Sequence, residues 1–281
     1  NFIGQKNWNF WPINYFGAKK LKNLTYKYEN HIALNNINLK IEKGEKIAIL
    51  GNNGSGKTTF FLCCNGVYKT KNAVSFNGDY EPKTLRRNVG LVFQDADTQI
   101  IGNTVEKEIS FGLMNFGFTK EQTKEKIDYA ISAMNLEEMR NRPTYYLSGG
   151  EKKRVTIADI IALETEIIFF DEPTASLDPA NIEKFKNTIN KLDKTIVIST
   201  HDIDFAYEWA DRFIIFNNGN IIADGNYAIF EKNDIIEKAN LRKPILWQTM
   251  EVMGYKDYSK YPRSIEELKK NYGEIKWKKQ Y

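Results

Sequence analysis

Residues Gly51-Asn52-Asn53-Gly54-Ser55-Gly56-Lys57-Thr58 read G-x-x-x-x-G-K-T, the spacing of a phosphate-binding loop. Its flanks constrain the fold further. Lys46-Ile47-Ala48-Ile49-Leu50 is a short apolar run with the look of a buried strand, and Thr59-Phe60-Phe61-Leu62-Cys63-Cys64 starts a helix. Strand, glycine loop and helix in that order are what the motif requires. Glycines let the backbone wrap closely, so that successive N–H groups point at phosphate oxygens. The new helix adds the positive end of its dipole. Lys57 then reaches the β- and γ-phosphates, and Thr58 holds Mg²⁺.

Composition narrows the class. A chain of 281 residues buries one good core, or one domain with appendages. The two cysteines are adjacent, Cys63 and Cys64, and read as small core residues of a helix in a reducing compartment, not as a disulfide framework or a metal site. A net charge of +4 does not by itself indicate a nucleic-acid binder. No run approaches the ~20 apolar residues of a spanning helix. If the protein works at a membrane, it does so through a partner.

The first 19 residues carry Trp8, Phe10, Trp11, Tyr15 and Phe16 and no acidic residue. The chain does not begin with Met, which reads as a trimmed or processed start. The stretch lacks the apolar core and small-residue cleavage site of a secretory signal. It reads as an extension, packed on its own domain or left over. Leu24 to Tyr28 and Ile37 to Ile41 read as strands. Tyr28 precedes the phosphate loop, and its aromatic face suits a purine, although a tyrosine in this place is more often a plain strand residue. His31, in the next turn, is given no role.

Past the first helix, Val74-Ser75-Phe76 and Val89 to Phe93 are further strands, the second ended by Gln94. A polar side chain there can reach a metal or a water. Residues 104 to 139 look helical, with capping-box spacing at Thr119 and Gln122 and an apolar stripe of Ile127, Ala130, Ile131 and Met134 that reads as core. Leu147-Ser148-Gly149-Gly150-Glu151-Lys152-Lys153-Arg154 again has capping-box spacing, and its two glycines leave N–H groups open to an anion. Ile167-Ile168-Phe169-Phe170-Asp171-Glu172 is a buried strand ending in two carboxylates. Successive strand residues point oppositely, so Asp171 can hold Mg²⁺ through water while Glu172 orients or polarises an attacking water. Ser176-Leu177-Asp178-Pro179 opens a helix to about Lys191, with Asp178 as N-cap. Thr195 to Thr200 is one more buried strand, ended by His201, where α/β sheets place ligand contacts.

In this order, the phosphate loop, Gln94, L-S-G-G at 147–150, I-I-F-F-D-E-P, S-L-D and His201 resemble the nucleotide-binding subunit of an ATP-binding-cassette (ABC) transporter over about residues 20–235. Phe93-Gln94-Asp95-Ala96-Asp97-Thr98-Gln99 and Ser199-Thr200-His201-Asp202 are similar to the energy-coupling-factor branch, above all its cobalt and nickel uptake ATPases. Ala96 stands where that branch has proline, and Glu151 where glutamine is more frequent.

The resemblance implies an α/β P-loop NTPase of the ABC type: a mixed sheet core, an antiparallel β subdomain and a helical signature subdomain at about 100–160. Residues 1–19 are then an N-terminal extension, 20–235 the cassette and 236–281 a C-terminal helical extension, with Ser264 and Glu267 capping one more helix. It also implies ATP and Mg²⁺ as ligands. ATP contacts fall to Tyr28, Asn52, Asn53, Gly54, Ser55, Gly56, Lys57, Thr58 and Thr59, and across a dimer to Ser148, Gly149, Gly150 and Asp178. Thr58, Gln94 and Asp171 attend Mg²⁺; Glu172, His201 and Gln94 are the catalytic set. The implied partners are a second ABC ATPase subunit, an integral membrane scaffold and a substrate-binding membrane subunit, at the cytoplasmic face of the cell membrane, with no nucleic acid. Cobalt is the expected cargo, with nickel and vitamins as alternatives. A soluble cassette ATPase acting on nucleic acid or ribosomes is the rival reading; it fits less well, because a repair-type coiled coil and a second cassette are both missing. A regulatory module without turnover is disfavoured by Glu172 and His201.

Overall fold

The computed structural model describes residues 19–175 and 177–273. The N-terminal aromatic stretch (Trp8, Phe10, Trp11, Tyr15, Phe16), Ser176 and Trp277 lie outside the described residues.

Two sheets organise the chain. Strands β1 (Lys19–Tyr28), β2 (His31–Ile41) and, after β3 (Lys46–Leu50) and helix α1 (Lys57–Asn65), β4 (Val74–Phe76) form an antiparallel sheet in the order β2-β1-β4. Helix α2 (Pro82–Asn88) leads into β5 (Val89–Val92). Helices α3 (Val105–Asn115), α4 (Lys120–Ala133) and α5 (Gly149–Ala162) follow. The chain then alternates through β6 (Ile167–Asp171), α6 (Pro179–Asn190), β7 (Thr195–Ser199), α7 (Ile203–Trp209), β8 (Arg212–Asn217) and β9 (Asn220–Gly225). The six-stranded sheet runs β5-β6-β7-β3-β8-β9, parallel throughout except for the antiparallel β9. Helices α8 (Asn233–Lys238), α9 (Ile245–Val252) and α10 (Ile265–Tyr272) complete the described chain.

The central strands are buried on both faces, which is why they read as continuous apolar runs instead of alternating ones. Period two still sorts their side chains. Ile47, Ile49, Ile167, Phe169 and Val197 join α1 and the antiparallel sheet in one core. Ala48, Leu50, Ile168, Phe170, Ile196 and Ile198 face the helices of the other core. On α1, Phe61 stacks on Phe169 at 4.7 Å, and both cysteines are free and buried. Burial pushes the Cys64 thiol up to about 12, so it behaves as a small apolar residue.

Helix starts follow their caps. Thr119 and Ser148 each form a complete capping box, with Gln122 and Glu151, and Asp178 accepts from Asn181 N. The stripe of Ile127, Ala130, Ile131 and Met134 is buried in the helical core. Two expected strand ends fall earlier. Strand β5 stops at Val92, because the Phe93 N–H goes to Gln99 Oε1 instead of a neighbouring strand; Gln94 therefore lies in a loop. Strand β7 stops at Ser199, two residues before His201. Helices α2 and α7 have 7 residues each, too short for a periodic signature in sequence. The C-terminal helices belong to the main core: Trp247 on α9 is fully buried, stacked on Tyr258 at 5.2 Å and edge-on to Tyr207 at 6.2 Å.

Gly90 sets how closely α5 lies on the sheet. A Cβ there would stand 2.2 Å from Ile160 Cγ2 and 3.0 Å from Thr165 Oγ1. Gly90→Ala is expected to cost about 1–3 kcal/mol by overpacking. Adding Ile160→Ala should return part of that loss, as read from urea unfolding midpoints of the two variants and the parent.

Candidate nucleotide site

The loop between β3 and α1 is shaped by close backbone approach. A Cβ on Gly51 would meet the Phe216 carbonyl oxygen at 2.4 Å. Gly56 has φ +107, and a Cβ there would meet the Ala33 oxygen at 2.7 Å. Gly219 in the β8–β9 turn donates to Ser55 O, and Asn35 donates to Gly219 O, so the loop is braced by both sheets. Helix α1 starts at Gly56 with no side-chain cap and no acidic residue in its first turn. Its leading N–H groups are left for an anion.

Lys57 is buried. Its Nζ donates to Gly51 O at 2.7 Å and Asn52 O at 3.1 Å, and stands 3.9 Å from Glu172 Oε1. Burial lowers its pKa, and Glu172 and Asp171 oppose that shift. Ser55 Oγ and Glu172 Oε1 are buried without a hydrogen-bond partner. A buried cation bonded to carbonyls, a helix N-terminus without a cap and orphaned polar atoms together fit a phosphate chain.

Strands β6 and β7 bring the acidic end. Their register sets Asp171 beside Ser199. Asp171 Oδ2 accepts from Thr58 Oγ1 at 2.7 Å, and its Oδ1 accepts from Ser199 Oγ. Glu172 follows with φ +45, an uncommon backbone for a non-glycine residue, and its N–H donates to Ser199 O. Glu172 Oε2 lies 2.8 Å from His201 Nδ1, whose side chain is 67% exposed. The strand end thus aims two adjacent carboxylates at different partners. Thr58, Asp171 and Gln94 offer hard oxygen donors of the kind Mg²⁺ takes.

Tyr28 closes the far end. Its hydroxyl pairs with Thr59 Oγ1 at 3.2 Å and donates to Tyr68 Oη at 3.1 Å. Tyr26 and Tyr68 stack on each other at 4.7 Å, and each meets Tyr28 near a right angle, so neither covers it in parallel. Tyr28 stays 40% exposed.

A cavity of about 330 Å³ collects these groups. Tyr28, Asn53, Gly54, Gly56, Lys57, Thr58, Thr59, Gln94, Asp171 and Glu172 line it. Asn52 contributes its carbonyl to Lys57, Ser55 lies buried in the same loop, and His201 reaches the site through Glu172. The structure does not bring in the remaining candidates. Ser148 and Gly150 line a different cavity with Leu177 and Asn181, sharing no wall with the first. Gly149 is the first residue of α5, and Asp178 is the N-cap of α6. Sequence reasoning missed Ser199, whose bond to Asp171 depends on strand register, and His31, which lines the cavity because it pairs with Tyr28 across the β1–β2 hairpin.

The family model described as ABC transporter matches residues 34–175. The chain belongs to the ABC transporter ATPase family. It is 41% identical over 261 residues to an energy-coupling factor transporter ATP-binding protein, EcfA2, of Methanospirillum hungatei; the match takes in 88% of this chain and 66% of that protein. It is 41% identical over 248 residues to EcfA of Methanocaldococcus jannaschii, covering 84% of this chain and 89% of the relative. Among solved structures, CbiO1 of Clostridium perfringens, described as part of the ABC transporter complex CbiONQ, superposes with a TM-score of 0.70 at 34% identity, over 85% of this chain and 100% of that one. A dimeric bacterial ABC transporter cassette superposes with a TM-score of 0.64 at 29% identity, over 74% and 98%. Among the described residues of this cassette, no helix is long and apolar enough to cross a membrane.

Glu172→Gln keeps the size of the side chain and replaces its carboxylate by a neutral amide. ATP turnover is expected to fall about 10²–10⁴-fold, the range of a general base, with fluorescent-nucleotide affinity kept. Turnover within twofold of the parent would remove Glu172 from the catalytic set.

Proposed function

We propose that this cassette is the ATP-hydrolysing subunit of an energy-coupling-factor importer, and that its cargo is a transition-metal ion, cobalt in the first place. The observation that carries the ATPase reading is the single cavity that gathers Lys57, Thr58, Gln94, Asp171 and Glu172. In this reading the leading N–H groups of α1 and the Lys57 ammonium bind the phosphates, and Tyr28 gives the base a flat aromatic surface. Thr58, Asp171 and Gln94 would hold Mg²⁺, which when bound neutralises charge on the phosphate oxygens. Glu172 Oε1, buried without a hydrogen-bond partner and 3.9 Å from the Lys57 ammonium, takes the proton of the attacking water, while His201 holds Oε2 and keeps the carboxylate oriented. His201 also contacts the γ-phosphate.

Two copies make the working unit. Ser148, Gly149 and Gly150 start α5 away from their own phosphate cavity, so each signature serves the nucleotide held by the other copy or by a close paralogue, with Asp178 beside it. ATP closes the pair and hydrolysis opens it, which drives attached membrane subunits between states. Those partners are a membrane scaffold and a small substrate-binding membrane protein on the cytoplasmic side. The likeness to EcfA proteins and to CbiO1 of a CbiONQ transporter complex supports this assignment. The preference for cobalt rests on the likeness of Phe93 to Gln99 and Ser199 to Asp202 to metal-uptake ATPases.

Glu172→Gln with ATP should double in mass by light scattering, and Lys57→Ala should stay at the mass without nucleotide and lose fluorescent-nucleotide binding. ATP binding without any doubling would overturn the paired-site reading. A mild-detergent capture from native membranes is expected to return a multi-span scaffold and a small membrane protein whose bound cargo names the substrate. A vitamin there would replace cobalt, and ribosomal or repair proteins would overturn the importer reading.

A further inference from the structure

The segment that carries Gln94 leaves the sheet after Val92 and is held from there mainly by side chains. Gln99 folds back, accepting from Phe93 N and donating to Leu91 O. Glu108 on α3 accepts from Ile101 N at 2.8 Å and from Gly102 N. Thr144 Oγ1 donates to Gly102 O at 2.7 Å, and a further grip comes from α5. Lys153 is buried, and its Nζ donates to Phe93 O at 2.7 Å and Gln94 O at 3.0 Å. Lys152, one residue earlier on the helix, pairs with Asp97 in the same segment.

A buried ammonium is costly unless its donors are used. Here burial pulls Lys153 down to about 8, against the opposing pull of Asp171 and Asp95. Fold packing alone would be served by an apolar side chain in that space. What the lysine adds is a charge-assisted bond to the backbone of the one residue in this segment that lines the phosphate cavity. The helix that carries it begins at Ser148 and Gly149, the other end of the proposed paired site.

We infer that Lys153 is a positioning residue that fixes the Gln94 backbone to α5, so that α5 and Gln94 move as one body when a phosphate docks at Ser148–Gly150. The inference rests on the ATPase reading given above. It supplies a contiguous physical link from the signature of one copy to the Gln94 of the same copy. Contact with the partner's nucleotide then sets whether Gln94 is in place for the copy's own nucleotide. The two sites of a pair are thereby coupled through a buried side chain of about one turn of helix in from the signature.

The test uses the full chain with ATP and Mg²⁺. Lys153→Met keeps the stem and removes the donors; Lys153→Arg keeps charge and donors. Lys153→Met is expected to lower kcat about tenfold, the scale of a lost charged hydrogen bond, with KM for ATP within about twofold. Lys153→Arg should recover most of kcat. If Lys153→Met does not fold, Lys153→Gln, polar but too short to reach both carbonyls, takes its place. The decisive arm is a double-mutant cycle with Gln94→Ala. If Lys153 acts through Gln94, the double variant turns over at the rate of Gln94→Ala alone; multiplicative losses would overturn the inference. Hydrogen exchange gives a readout without turnover. In a Glu172→Gln background, ATP should slow exchange across residues 93–102 when Lys153 is present and not with Lys153→Met. Equal protection in both would also overturn it. Absence of ATP turnover in the unaltered protein would instead sink the ATPase reading itself.

Discussion

A buried lysine holds this molecule's design together. Lys57 is bonded to two carbonyls of its own loop and stands just outside hydrogen-bond distance of Glu172. Such a charge is tolerable only where other groups are arranged to receive it or an anion is brought to it. The surrounding structure is arranged for the second outcome. Helix α1 starts without a cap, Gly51 and Gly56 let the backbone close in from two sides, and Ser55 Oγ is left without a partner. The loop is an anion site before any ligand is considered.

The parallel sheet brings two carboxylates to that loop. Strands β3, β6 and β7 are neighbours in the order β6-β7-β3, so their C-terminal ends emerge together. The β6–β7 register ties Asp171 to Ser199, and the left-handed backbone of Glu172 then turns the second carboxylate toward His201 and the loop. Strain of this kind is held by the surrounding hydrogen bonds, here from Glu172 N to Ser199. The antiparallel sheet contributes the other wall, with Tyr28 and His31 facing each other across the hairpin turn.

Much of this was legible in the chain because the chemistry is local. The glycine loop, the apolar strands flanked by polar ends and the caps at Thr119, Ser148 and Asp178 each declare themselves within a few residues. Lys57, Thr58, Gln94, Asp171 and Glu172, each from a separate or neighbouring motif, line one cavity. What was hidden is the work done by side chains whose partners are far away in sequence. Ser199 meets Asp171 across 28 positions, and Lys153 meets Phe93 across 60. Nothing in the spacing of Lys152-Lys153-Arg154 separates the buried lysine from its half-buried neighbours. The same holds for Trp247, which reads as a tail residue and is in fact in the core with Tyr207 and Phe230.

The sequence by itself determined the glycine loop, the order of strand and helix around it and the candidate polar groups at the strand ends, because turn, cap and period are short-range properties of the backbone. Tertiary structure alone decided which of those groups share a cavity and which do not. Strand register placed Asp171 against Thr58 and Ser199 and Glu172 against His201, and the path of α5 put Ser148 and Gly150 at a separate cavity while burying Lys153 against Gln94. Register and helix packing depend on contacts between distant segments, and those exist only once the whole core has closed.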